Sequence, residues 1–246
     1  MSRYTDMFHR LGNAGAFGGF VMLGDPDLES SGAILDALVE GGADMIEVGI
    51  PFSDPIADGP TIQAAADRAL AGGATPARCF AILRAFRSRH PDVPVGVLTY
   101  ANLVLARGRD DFYRTCAEAG VDSVLVADAP VMEAEPFVAA ARAHGVDPVL
   151  IAAPNTAEPT LARIAELSDG YTYCVARAGV TGADTEMRLD HADLLSTLRR
   201  YDAPPPVLGF GIGRPEHVRI ALRAGAAGVI SGSAIVERIA PKVPSQ

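Results

Sequence analysis

One feature constrains the fold more than any other: short apolar, β-branched runs recur along the chain, separated by longer stretches with helical periodicity. The predicted strands are residues 19–23, 45–49, 95–99, 123–127, 148–151, 171–175, 207–209 and 228–230. Their continuous apolar character, rather than alternation, is that of a sheet covered on both faces, the parallel case. Between them, residues 30–40 place Ile34, Leu35 and Leu38 on one helical face. Residues 76–89 follow Thr75 as N-cap, with Pro76 at the first helical position. Further helices are predicted over 110–119, 132–144, 159–167, 190–200 and 215–224.

The same kind of glycine-led joint between helix and strand occurs four times, at Gly41-Gly42-Ala43-Asp44, Gly120-Val121-Asp122, Gly145-Val146-Asp147 and Gly225-Ala226-Ala227-Gly228. Glycine past a helix end supplies the left-handed cap from which the next strand starts. No Pro- or Ser-rich linker interrupts the series, so residues 1–246 are expected to form a single α/β domain. Eight strands alternating with helices in 246 residues favour a closed (β/α)8 barrel. An open doubly wound sheet is the alternative, because strand counting does not establish closure.

Composition narrows the partners. A formal net charge of −9 argues against nucleic acid, which is bound through clustered Lys and Arg. Cys79, Cys116 and Cys174 show neither CxxC nor Cys/His metal spacing, and scattered thiols fit a reducing cytoplasm. Arg3, Asp6, His9 and Arg10 break up any signal-peptide core in residues 1–20. No apolar run approaches the ~20 residues that span a bilayer. The expectation is a cytoplasmic protein without a membrane segment.

In a barrel, catalytic groups sit at the C-terminal ends of strands and in the loops that follow. Glu47 interrupts the apolar strand Met45-Ile46-Glu47-Val48-Gly49. A carboxylate buried there is costly, and burial raises its pKa toward the range an acid/base needs at neutral pH. A structural Glu bonded to a neighbouring strand is the other reading. Asp58 lies on the next loop, where Asp-Gly-Pro is also ordinary turn chemistry. Its position after the strand bearing Glu47 allows both carboxylates to face one pocket mouth.

Glycine-rich segments follow the late strands: Arg177 to Gly182, Gly209 to Gly213, and Ser231-Gly232-Ser233, with a short helix expected from Ser233. Such loops either make tight turns or bring backbone N–H groups close to an anion, and barrels commonly hold phosphate after strands seven and eight. His9, His90, His144, His191 and His217 all fall at predicted helices or helix ends, which disfavours a histidine triad or metal site and makes them solvated or capping residues. The sole lysine, Lys242, is in the C-terminal tail, so no Schiff base forms inside the barrel.

The stretch from Gly49 through Asp58-Gly59-Pro60 to Gln63 resembles the signature loop of the tryptophan synthase alpha subunit family. So do Phe20 to Pro26, Tyr100-Ala101-Asn102, Val124 to Pro130, Arg177 to Gly182 and Ser231 to Val236. The resemblance runs from Tyr4 to about Ile239. It implies retro-aldol cleavage of indole-3-glycerol phosphate to indole and D-glyceraldehyde 3-phosphate, by a lyase whose acid/base is Glu47 and whose Asp58 accepts the indole N–H. It further implies Phe20, Tyr100, Tyr173, Thr181 and Phe210 around the substrate, with Thr181 on a closing loop. Gly182, Gly211, Gly232 and Ser233 would bind phosphate.

Asp54 and Asn102 would face a beta subunit in an alpha2beta2 assembly. That subunit would carry PLP, with no cofactor in this chain. A stand-alone indole-releasing lyase and a catalytically silent regulatory barrel are the alternatives. Two departures from the family pattern stand out. Pro241, Pro244 and the stop at Gln246 leave the usual long outer helix unaccounted for, with reduced stability or a compensating contact expected. Met22 replaces a small polar residue.

Overall fold

The computed structural model describes residues 2–175 and 191–240. Nine parallel strands form its sheet: β1 Ala16–Met22, β2 Met45–Gly49, β3 Val95–Thr99, β4 Ser123–Val126, β5 Asp147–Val149, β6 Ile151–Ala152, β7 Thr172–Val175, β8 Pro206–Gly209 and β9 Gly228–Ser231. They lie in the order β5-β4-β3-β2-β1-β9-β8-β7-β6. The two ends of that order, β5 and β6, are separated only by Leu150, so the sheet closes on itself. The Tyr173 N–H donates to the Leu150 carbonyl at 3.1 Å, carrying the ladder across the gap. The predicted eight-stranded barrel is therefore present, with its fifth strand in two pieces. Pro148 has no N–H to give to the ladder.

Side chains on one face of each strand fill the barrel: Phe20, Met22, Met45, Leu98, Leu125, Val149, Tyr173, Val207 and Ile230 form one cluster. Tyr4 and Met7, from the helix Arg3–Leu11, join it. The opposite faces pack outward. Ile46, Val48, Val95, Val97 and Val124 meet Leu35, Leu83, Phe86 and Phe112 of the helices over one half. Cys174, Leu208 and Val229 meet Leu161, Leu195 and Ala221 over the other. Burial on both faces is why the strands read as continuous apolar runs.

Several boundaries differ from the sequence reading for physical reasons. Strand β1 starts at Ala16, three residues earlier than predicted. Gly18 belongs to it by pairing with Met45 of β2 and Ile230 of β9, and glycine fits there because a Cβ would come within 2.9 Å of Ile230. The helix predicted over 132–144 divides into a 3-10 turn, Val131–Glu133, and a helix Glu135–Ala143, whose second residue, Pro136, is tolerated only in a first turn. Three helices were not predicted: Arg3–Leu11, Pro60–Ala71 and Ala101–Leu105. The joint glycines Gly42, Gly120, Gly145 and Gly225 all adopt positive φ, as the capping argument requires.

Candidate active site

Glu47 sits in the middle of β2, in register with Phe20 of β1 and Gly96 of β3. Its side chain points into the barrel, where 3% of the residue is exposed. The Tyr171 hydroxyl donates to its Oε1 at 3.0 Å. Tyr171 is two residues before Tyr173 and so faces the interior with it. Its ring is tilted against that of Tyr4, at 5.2 Å between centroids, and the Tyr4 hydroxyl lies 2.8 Å from Ser123 Oγ. A buried polar layer thus underlies the acid.

Asp58 is on the loop between β2 and the helix Pro60–Ala71, and it is 5% exposed. Two contacts fix the loop: the Asp58 N–H donates to the Pro55 carbonyl at 3.1 Å, and Gln63 Nε2 donates to the Asp58 carbonyl at 2.8 Å. The Tyr100 hydroxyl donates to Asp58 Oδ2 at 3.0 Å and accepts from the Ala57 N–H at 3.3 Å. Tyr100 also begins the helix Ala101–Leu105, so the ends of β2 and β3 are joined through one phenol.

Burial governs both acids. It pushes Glu47 up from its ordinary 4.5 to about 7, opposed by the Tyr171 hydrogen bond and assisted by the negative charge of Asp58. It pushes Asp58 from 3.8 to about 6, opposed by the Tyr100 hydrogen bond. A carboxyl group titrating near neutrality is suited both to deliver and to receive a proton.

The two acids share one cavity of about 200 Å³. Phe20, Leu98, Tyr173 and Phe210 give it apolar walls, and Gly211, Gly213, Gly232, Ser233 and Ala234 line it as well. The Tyr173 and Phe210 rings meet edge-on at 5.8 Å. Gly209 makes room for this pair, because a Cβ there would come within 1.9 Å of the Tyr173 hydroxyl oxygen. Phe210 itself adopts φ of 58°, unusual for an aromatic residue, and Gly211 follows at 76°. This turn is pinned: Ser231 Oγ donates to the Ile212 carbonyl at 2.6 Å, and His217 Nδ1 lies 2.8 Å from the Gly211 carbonyl. Where Ser233 and Ala234 line the cavity, the first N–H groups of the helix Ser233–Ile239 have no acceptor within the helix.

Of the residues singled out in the sequence, Phe20, Glu47, Asp58, Tyr173, Phe210, Gly211, Gly232 and Ser233 line this cavity. Tyr100 is not in its lining and instead stands behind Asp58. Asp54 and Asn102 lie on the neighbouring loop and helix, outside the cavity. Thr181 and Gly182 lie outside the described residues.

Sequence reasoning missed Tyr171, Ile62, Arg214, His217 and Glu237. The strand spacing of Tyr171 from Tyr173 was an available signal; the proximity of Glu237 was not. The histidines also need correction. His191 is buried rather than solvated, and His217 holds a loop and lines the cavity. Among the described residues, no group of three or more His, Cys, Asp or Glu could hold a metal ion.

The family model described as tryptophan synthase alpha chain matches residues 9–246. The tryptophan synthase alpha chain of Shewanella amazonensis is 56% identical over 241 residues, covering 97% of this chain and 91% of that one. That of Aeromonas hydrophila is also 56% identical, covering 97% and 90%. Among solved structures, a chain from a study of mutual activation in the tryptophan synthase alpha2beta2 complex of Pyrococcus furiosus superposes with a TM-score of 0.83. It is 39% identical, and the match covers 91% of this chain and 89% of that one.

Proposed function

The chain belongs to the tryptophan synthase alpha chain family, and from that premise we propose that it cleaves indole-3-glycerol phosphate to indole and D-glyceraldehyde 3-phosphate. The observation that carries this reading is the meeting of Glu47 and Asp58 in one cavity that the glycine-rich segments at residues 211–213 and 232–233 also line.

Glu47, protonated, adds its proton to the indole ring carbon that bears the glycerol side chain, making a cationic indolenine. Asp58 accepts the ring N–H and stabilises that charge as it develops, which lowers the barrier because the charge is absent from the ground state. The Glu47 carboxylate then takes the proton of the adjacent hydroxyl. The oxygen's electron pair forms the aldehyde C=O, the carbon–carbon bond breaks, and its electrons restore the neutral indole.

Phe20, Leu98, Tyr173 and Phe210 hold the indole by apolar contact. Gly211, Gly232 and Ser233 offer the phosphate backbone N–H groups. Roles for Thr181 in closure and Gly182 in phosphate binding follow from family resemblance alone. Tyr100 acts by holding Asp58.

The chain is a lyase of tryptophan biosynthesis that works with a beta subunit in an alpha2beta2 complex. PLP resides in that subunit, and this chain uses no cofactor of its own. The partner face is read at Asp54 and Asn102, where large apolar side chains stand open: Ile56 is 73% exposed and Leu105 46% exposed, with Met132 on the next loop at 86%. We place the chain in the cytoplasm, consistent with its three free, buried thiols, and read residues 1–246 as a single barrel domain. No described helix is long and apolar enough to cross a membrane.

The test is indole release from indole-3-glycerol phosphate with and without the beta subunit. Activity that rises with the partner supports this reading. Equal activity without the partner would instead indicate a stand-alone lyase, and none in either case a silent binding protein.

A further inference from the structure

The cavity presents an electrostatic problem to a phosphorylated ligand. The whole chain carries a net charge of −9, and the cavity wall holds three carboxyl groups, Glu47, Asp58 and Glu237. Glu237 is held against the wall by Thr61 Oγ1, which donates to it at 3.2 Å. Backbone N–H groups bind an anion by short-range dipoles and leave in place the longer-range repulsion of whichever of these groups are ionised.

Among the described residues that line the cavity, Arg214 is the one guanidinium or ammonium group. It occupies the N-cap position of the helix Pro215–Ala224, its side chain making no capping hydrogen bond, and directly follows the Phe210–Gly213 turn, the same turn that Ser231 and His217 pin. None of the ion pairs among the described residues uses it. An exposed arginine that lines the cavity together with Gly211, Gly213, Gly232 and Ser233, engaged in no such pair and following a pinned turn, is placed to meet phosphate oxygens with its paired N–H donors.

We propose that Arg214 is a further ligand-binding residue, a side-chain cation that supplements the backbone donors of Gly211, Gly232 and Ser233 at the phosphate end. The inference rests on the phosphorylated substrate proposed above. It adds that phosphate affinity in this chain is partly ionic, and therefore sensitive to salt.

The probe is glycerol 3-phosphate, titrated calorimetrically into the full chain as wild type, Arg214→Gln and Arg214→Lys, with indole as an uncharged control. Arg214→Gln is expected to weaken glycerol 3-phosphate about fivefold to tenfold at low ionic strength. That difference should shrink as salt is raised, Arg214→Lys, which keeps the charge without the paired donors, should fall between wild type and Arg214→Gln, and indole binding should not change. In steady-state cleavage, KM for indole-3-glycerol phosphate should rise more than kcat falls.

Unchanged glycerol 3-phosphate affinity in Arg214→Gln, an equal loss for indole, or a wild type that does not bind glycerol 3-phosphate would each overturn the assignment. The two readings fail separately. A selective, salt-sensitive loss in a protein without cleavage activity would remove the proposed substrate and keep Arg214. Cleavage with an unaltered glycerol 3-phosphate affinity would do the reverse.

Discussion

The Tyr171 hydroxyl reaches across the barrel interior, from the residue just before β7, to donate a 3.0 Å hydrogen bond to Glu47 on β2. This bond favours the charged form and opposes the burial that, with the bond in place, still leaves the acid at about 7. Tyr171 is thereby a positioning residue whose effect is read through the protonation of Glu47.

Tyr171→Phe should therefore shift the pH profile of cleavage. Loss of the donor removes a contribution that lowers the Glu47 pKa, so the limb belonging to Glu47 moves to higher pH. A pH–kcat/KM profile measured from about pH 5 to 9, the span around a near-neutral acid/base, checks this. A uniform drop without movement along the pH axis would assign Tyr171 a packing role only.

Stability should carry the same signature. Glu47 has a folded-state pKa above its ordinary 4.5, so between 4.5 and about 7 the folded protein binds more protons than the unfolded chain. Stability from this group is then fully present below 4.5 and is lost as pH rises through about 7, on the order of 3 kcal/mol. Glu47→Gln should unfold at a higher temperature than wild type at pH 8, with the gain vanishing at pH 4. Equal melting shifts at both pH values would contradict the burial argument.

Gly209→Ala tests the shape of the indole pocket. Its Cβ would lie 2.2 Å from Tyr173 Cζ, so the ring must move. A displacement of about 1 Å at a reacting centre costs roughly 100-fold in rate, and a loss of that order in kcat/KM is expected. Wild-type activity would mean that Tyr173 does not shape the productive site.

Arg87 is a stability prediction remote from the chemistry. Its guanidinium donates to the carbonyls of Gly120 at 2.7 Å and Val93 at 2.7 Å, and pairs with Asp122 at 2.7 Å. Arg87→Met strands these acceptors and should cost about 2–4 kcal/mol in urea unfolding, while KM stays near wild type. A change below ~0.5 kcal/mol would place these contacts with the weak surface pairs.

Much of this arrangement could be read from residues alone, for identifiable reasons. Strands β2 and β3 were located to the residue because both are apolar runs bounded by sharp turn signals. Glu47 stood out because a carboxylate inside such a run is expensive. Asp58 was harder: the sequence shows an Asp-Gly-Pro turn, and only the fold reveals the phenol of Tyr100 that holds it. Tyr100 illustrates the converse, since resemblance placed it at the substrate while the geometry sets it behind the acid. Arg214, His217 and Glu237 reach the cavity from helix starts and a helix end brought together by barrel closure, a relation that local periodicity does not encode. The helix Pro60–Ala71 escaped notice because its alanine-rich face gives little contrast between buried and exposed positions.

The central claim is that Glu47 carries the proton transfers within a cavity that binds the ligand by other groups. Single-turnover indole release from indole-3-glycerol phosphate by Glu47→Gln, paired with the ligand's dissociation constant, tests it most directly. The account predicts turnover reduced by about 100- to 10,000-fold, the range general acid–base catalysis supplies, with binding within a few-fold of wild type. Undiminished turnover would remove Glu47 from the mechanism.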